Sequence, residues 1–329
     1  MSVLVPLAAV VVLFLVGFFG PGLGLEMVFG VAVPYIAAVA LIVGVIYRVF
    51  TWASAPVPFR IPTTCGQQKS LDWVPNNNLE NPHNSLGVIG RMLLEAFLFR
   101  SLLRNTKTER LPDGRIVYGI SPWLWLGAIA FHGAMLVVLL RHLRFFTSPV
   151  PSPVLFLEMA DGFLQVGVPV FYASTIVFMA GLAYLLYRRF ADAQVRYISL
   201  ASDFFPLFLL LAIGGTGFFL RHLTKSDVVA IKEMAMGWVS FAPTAPEGIS
   251  GLFYGHLFLV CVLAIYFPFS KLMHMIGVFL SPARNMANNN RAKRHVNPWN
   301  HPVKVHSYEE YEDEFRDKMK AAGIPVDKE

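Results

Sequence analysis

Six blocks of this chain are apolar for long enough to cross a bilayer: roughly residues 3–19, 27–50, 123–145, 163–187, 204–220 and 252–272. The hydrocarbon core offers no partner to an unpaired backbone N–H or C=O, so such blocks fold as helices or close into a barrel. Blocks of 17 residues and more select helices, because a barrel strand needs only about ten. The 329 residues are only 15% charged and 55% hydrophobic, with a mean hydropathy of +0.55. The expectation is therefore an all-α polytopic membrane protein with six transmembrane helices. Its formal charge of +6 follows the membrane and does not point to nucleic acid. With the N-terminus in the cytoplasm, only Arg141, Arg144, Arg221, Lys225 and Lys232 of the 27 basic residues fall on the outer side. The positive-inside rule then places both termini inside a cell membrane. Residues 1–19 have neither a basic start nor an A-x-A site and read as a retained helix.

Four segments follow: two N-terminal spans (1–50), a cytoplasmic loop (51–121), four spans (122–275) and a cytoplasmic tail (276–329). The loop opens on Pro56-Val57-Pro58-Phe59-Arg60-Ile61-Pro62, which cannot be regular helix. Residues 84–104 carry Leu86, Ile89, Leu93, Ala96, Phe97 and Leu103 at helical spacing, an amphipathic helix for the membrane surface or a partner. Pro112-Asp113-Gly114 between short apolar runs predicts a hairpin. The tail is either solvated chain or a docking arm, and Trp299, Tyr308, Tyr311 and Phe315 favour the arm. Two cysteines, Cys65 and Cys261, are too few for a zinc or iron–sulfur site made by this chain alone.

Chemistry concentrates in histidines. His256 and His274 lie eighteen residues apart on the last apolar block, five turns of one helix and ~27 Å along its axis. His132 and His142 lie ten apart on the third block. Ionisable groups inside a bilayer are costly and mark function. The two helices run antiparallel, so depth matches His132 with His274 near the inner surface and His142 with His256 near the outer. Any one of these histidines alone would read as a packed core residue; four at matched depth suit two bis-histidine haems. No carboxylate or thiolate lies near in sequence to build a zinc site, and small residues beside His132 and His256 leave room for a flat ring. Without a C-x-x-C-H motif the haem is b-type. His222, at the end of the fifth block, could replace an outer ligand, face a quinone, or be a surface residue. Pro268 should kink the last helix between the two levels.

The four histidines, with Phe267-Pro268-Phe269-Ser270-Lys271-Leu272 between the last two, resemble the γ subunit of respiratory nitrate reductase, a dihaem cytochrome b. Ile61-Pro62-Thr63-Thr64-Cys65-Gly66-Gln67-Gln68-Lys69-Ser70, Ser281-Pro282-Ala283-Arg284-Asn285 and His295-Val296-Asn297-Pro298-Trp299-Asn300 resemble the DsrM-type membrane subunits of sulfite-reduction-associated DsrMKJOP complexes. That family includes the cytochrome b subunits of archaeal heterodisulfide-reductase-like menaquinol-oxidising complexes. The resemblance implies two haems b as cofactors, with iron held by His132 and His274 inside and by His142 and His256 outside. It implies menaquinone as substrate near the outer haem, in an electron-transfer subunit whose sulfur chemistry resides on a partner. The partners implied are a cytoplasmic heterodisulfide-reductase-like iron–sulfur subunit, a multihaem cytochrome c, a second iron–sulfur protein and a second quinone-binding membrane subunit. The nitrate reductase relatives carry a lysine where this chain has Leu157-Glu158-Met159-Ala160-Asp161-Gly162. Arg141, Arg144, Glu158, Asp161 and His222 are therefore the candidates for quinone contact or proton release. Two other functions fit an apolar chain with buried histidines: a proton-relay transporter, and a haem-containing anchor without quinone turnover.

Overall fold

The structure, a computed structural model, describes residues 2–55, 66–104, 107–224, 226–289 and 305–328. Leu4–Phe19 forms α1, and Gly24, in the left-handed conformation (φ +79°), turns the chain into the next helix. That helix opens as a π-helical turn, Val28–Ala32, and continues as α2, Val33–Ala53. Pro34 explains the irregular start. It has no N–H to give to the carbonyl of Gly30 four residues back. The indole Nε1 of Trp238 donates to that carbonyl instead, at 2.7 Å.

The remaining long helices are α4 (Pro122–His142), α6 (Ala173–Ala191), α7 (Ala201–His222) and α9 (Gly251–Tyr266). Between the loop and α4 come α3 (Ser85–Leu98) and a hairpin of β1 (Lys107–Arg110) and β2 (Ile116–Gly119). The hairpin pairs Lys107 with Gly119 and Arg110 with Ile116, around a turn that needs Gly114 at φ +85°. Shorter helices are α5 (Ser152–Asp161), α8 (Val228–Val239), α10 (His274–Leu280) and α11 (Tyr308–Ala321).

Four segments among the described residues are long and apolar enough to cross a membrane: Val28–Ala53, Pro122–Phe145, Ala201–His222 and Gly251–Phe269. The sixteen-residue α1 is apolar but shorter, ~24 Å. α6 has nineteen residues and ends on Arg188 and Arg189. The apolar run at 163–187 does not form one helix. Gly162, Gly167 (φ +83°) and Pro169 hold residues 162–172 in irregular backbone, and the helix begins only at Ala173.

The helices stand side by side in a chain of contacts. α4 packs along α6, α6 on α7, α7 on α9 and α1, and α9 on α1 and α2. Glycine allows close approaches among these helices: a Cβ on Gly127 of α4 would stand 2.4 Å from the ring of Tyr184 on α6, and one on Gly17 of α1 2.6 Å from the Cβ of Phe258 on α9. One core cluster joins Phe131, Phe178, Leu182 and Leu210 of α4, α6 and α7. A second holds the buried Cys261 with Phe29, Met234 and Tyr254. α4, which carries His132 and His142, and α9, which carries His256, have no comparable direct packing on each other.

α3 is amphipathic, as its periodicity predicts, but its polar side faces inward. Arg91 and Glu95 are buried while Leu86, Ile89, Leu93 and Phe97 are exposed. Arg91 donates to the backbone carbonyl of Glu80, whose carboxylate pairs with Arg100 and Arg104. The buried Asn288 bonds Asn81 (2.7 Å), and its N–H reaches the carbonyl of Pro82, so the chain after α10 folds back on the loop. The proline-rich opening at 56–62, Cys65 and the 295–300 motif lie outside the described residues. Within the tail, α11 is a true helix, started by a capping box of Ser307 and Glu310.

Candidate functional site

The spacing of His256 and His274 along one continuous helix does not hold. Pro268 ends α9's ladder, and residues 267–269 and 271–273 are 3₁₀ turns separated by Ser270 in extended backbone (φ −119°, ψ 177°). His274 therefore starts α10 and does not lie five regular turns from His256. The break nevertheless brings His274 to His132, with ring centroids 6.0 Å apart and planes at 87°. That separation is of the order two imidazoles on one metal atom need, with metal–nitrogen bonds of ~2 Å on each side. His142 and His256 lie within electrostatic range of each other. His132 and His256 are half-buried, and His142 and His274 are more open.

The ring nitrogens of all four histidines are sorted in the same way. Nδ1 of His132 lies 2.8 Å from the carbonyl of Ala128, that of His142 lies 2.7 Å from Val138 O, and that of His274 lies 2.8 Å from Lys271 O. A carbonyl only accepts, so Nδ1 carries the proton in each ring. His256 reaches the hydroxyl of Thr216 on α7, at 2.9 Å. The single proton of that hydroxyl is directed at the carbonyls of Ala212 (2.7 Å) and Ile213 (3.0 Å), so its oxygen accepts from Nδ1 here too. Every Nε2 keeps its lone pair, the form in which imidazole binds a metal.

The donor set and the space fit haem. Each site offers two neutral imidazoles, and no group of three or more His, Cys, Asp or Glu residues among the described residues is disposed around a metal ion. Beside His132, a side chain at Gly133 would meet nothing within 4 Å. Phe99 and Phe131 set their ring edges against the His132 imidazole, at 5.0 and 4.6 Å. Phe99 holds a left-handed backbone conformation (φ +48°) that ends α3 and turns its ring toward α4.

At the other end of α4 the candidate polar residues pair among themselves. Arg144 binds Glu158 at 2.7 Å. The buried Arg141 sets Nε 2.8 Å from Asp161, in ionic contact without hydrogen-bond alignment, and donates through Nη2 to Ser174 and Thr175. Asp161 in turn accepts from the N–H (2.7 Å) and hydroxyl (2.6 Å) of Ser174. The ring of Tyr172 lies between two guanidiniums, Arg141 at 3.8 Å and Arg221 at 4.2 Å. His222 stacks flat on Phe171 (4.1 Å, 8°) beside Phe218. The carboxylates of α5 thus clamp the end of α4 and the start of α6, with His222 one aromatic layer away.

Two contributors escape the sequence reading: Thr216 and Tyr172. Each is one polar residue beside or inside an apolar run whose partner comes from another helix, and such a pairing leaves no local spacing to find.

A mostly helical bundle with four segments long enough to cross a membrane, and with His132 and His142 on α4, His256 on α9 and His274 at the start of α10, has the frame of a membrane cytochrome of the b class. Residues 120–288 match the family described as nitrate reductase gamma subunit, and the chain belongs to that family. It is 46% identical over 280 residues, 83% of each chain, to the Hdr-like menaquinol oxidoreductase cytochrome b-like subunit of Archaeoglobus fulgidus. The protein of that name from Archaeoglobus profundus is 42% identical over 275 residues, 82% of this chain and 81% of the relative. The respiratory nitrate reductase 1 gamma chain of Escherichia coli is 30% identical over 114 residues, 32% of this chain and 51% of that one.

Proposed function

We propose that the chain is the dihaem cytochrome b subunit of a DsrM-type, menaquinol-linked membrane oxidoreductase. His132 and His274 would hold the inner haem b, and His142 and His256 the outer one. The observation that carries this reading is the common bonding of the four rings, each with Nδ1 spent on a carbonyl or hydroxyl and Nε2 left as a ligand. Two haems so held supply a one-electron relay across the bilayer.

The chain's own residues do the remaining work. The carbonyls and Thr216 keep each imidazole neutral and fixed in plane, which raises its strength as a ligand. Arg141 with Asp161, and Arg144 with Glu158, form a rigid polar wall at the outer end. His222, stacked on Phe171 next to Tyr172, offers a titratable group on that side for a proton of menaquinol. α1 and α6 complete six spans, and the basic residues put both ends of the chain in the cytoplasm. The inner pair then faces a heterodisulfide-reductase-like iron–sulfur partner of dissimilatory sulfur metabolism, with α3 and the segment after α10 as its seat. A multihaem cytochrome c, a second iron–sulfur protein and a second quinone-binding membrane subunit complete the assembly. The names of the Archaeoglobus relatives support an Hdr-like menaquinol-oxidising assembly, and the other partners rest on the resemblance carried by the motifs at 61–70, 281–285 and 295–300.

A reduced-minus-oxidised spectrum of the purified protein tests the reading. It should show b-type absorption from two haems that menaquinol reduces and an outer-site quinone inhibitor protects. A chain that purifies without b-type absorption is not this cytochrome. Haems that menaquinol cannot reduce would leave an anchor.

A further inference from the structure

We propose that Asp203 is a positioning residue for His274, acting through Lys271. The inference rests on the haem reading above and concerns how the inner pair is kept in register. Lys271 supplies the carbonyl that receives the Nδ1 proton of His274, at 2.8 Å. For His132 and His142 the equivalent carbonyl belongs to a continuous helix, whose i to i−4 ladder fixes its direction. Lys271 has no such ladder. It follows Ser270 in extended backbone and belongs to a three-residue 3₁₀ turn, so only local tethers aim its carbonyl.

Three of those tethers are short-range: the backbone N–H of His274 itself reaches Lys271 O, the Ser270 hydroxyl accepts from Leu272 N at 3.1 Å, and Met273 N reaches Ser270 O at 3.3 Å. The fourth comes from another helix. The ammonium of Lys271, on a side chain 73% exposed, is held 2.6 Å from Oδ1 of Asp203, whose own side chain is 9% exposed. Asp203 has tethers of its own. Its Oδ2 accepts from Leu200 N at 3.0 Å in the first turn of α7, and Arg189 of α6 stands 4.0 Å away. One residue before Asp203, the carbonyl of Ser202 loses its helical donor to Pro206, and the hydroxyl of Tyr266 reaches that carbonyl at 3.5 Å. Two contacts from α7 therefore bracket the broken end of α9, one on each side of Pro268. A flexible, exposed lysine would not choose one geometry unaided; a buried carboxylate makes it do so.

The test reads the inner haem separately from the outer one in the purified protein. In Asp203→Ala the inner haem's low-spin EPR signal should shift and broaden, and its occupancy should fall severalfold, while the outer signal is unchanged. Asp203→Asn keeps an acceptor for Lys271 and should restore the position of the signal. Lys271→Ala should reproduce the alanine phenotype, and the double variant should be no worse than either single one. Because Lys271 is exposed, its variant carries the test should Asp203→Ala fail to fold. Wild-type occupancy with an unshifted inner signal in the alanine variants overturns the inference, as does a double variant whose effects add. Absence of b-type absorption in the wild-type protein overturns the haem reading itself, and this inference with it, before any variant is made.

Discussion

The two proposed histidine pairs reach the same ring bonding by different construction. At the outer level both rings sit in unbroken helices, and the partner that fixes His256 is a hydroxyl on a neighbouring helix. At the inner level His132 sits in an unbroken helix, while His274 follows a proline break and takes its direction from a turn. A continuous helix delivers an acceptor carbonyl four residues back as a matter of geometry. A broken one has to borrow rigidity from elsewhere. Beside the inner pair stands an ion pair between helices, Lys271 with Asp203, and beside the outer pair only hydrogen bonds within and between helices fix the rings.

The strongest way to break this comparison is to remove one ligand. His256→Ala should abolish the outer haem and leave the inner one, seen as loss of one of two b-type components in the redox spectrum. Loss of both, or retention of the outer component, would show that the levels are not paired as argued. Next comes the polar clamp at the outer end. Asp161→Ala leaves the buried guanidinium of Arg141 without its carboxylate and should destabilise the protein by about 3–5 kcal/mol, read as a lowered unfolding midpoint. The exposed Lys271 at the inner end should tolerate truncation with far less loss of stability. A smaller effect is expected from Thr216→Val, which frees Nδ1 of His256. The outer haem should be held ~10-fold more weakly, with the inner haem untouched, in a haem-transfer competition. Equal weakening of both would erase the distinction between the levels.

The smallest effect lies outside both levels. The backbone N–H of Asp327, joined by that of Lys328 and by Arg316, holds the Glu312 carboxyl below its ordinary value of 4.5. A depressed folded-state value means that the stabilisation is complete above the unfolded value and is lost as pH falls through the folded one. Amide exchange at Asp327 and Lys328, relative to intrinsic rates, should accelerate only below pH 4.5, while protection in α4 and α9 holds. Acid loosening of α4 in step with the tail would show that the two are one cooperative unit.

Much of the fold was legible because hydropathy and helical period act locally. α1, α2, α4, α7 and the start of α9 fall close to their apolar blocks, and the hairpin follows from Pro112-Asp113-Gly114. Hydropathy alone failed at 163–172, where Gly167 and Pro169 decide the backbone while their neighbours remain apolar. Pro268 was readable as a kink, yet the five-turn spacing of His256 and His274 ignored that a 3₁₀ turn and an extended residue change both rise and azimuth. α3 shows a subtler limit. Its period was correct, but which face turns inward depended on Glu80, Arg100 and Arg104, whose convergence no local pattern encodes.

Phe99 gives the extramembrane layer a mechanical handle on the inner site. Its ring meets the His132 imidazole edge to face at 83°, and the indole of Trp125 holds the last carbonyl of α3 at 2.7 Å. Phe131 also sets its ring near the imidazole, at 4.6 Å. Were His132 to hold a haem as proposed, a change at the end of α3 would reach the plane of that ligand through one aromatic contact, while its distance from His274 would be left to the helices.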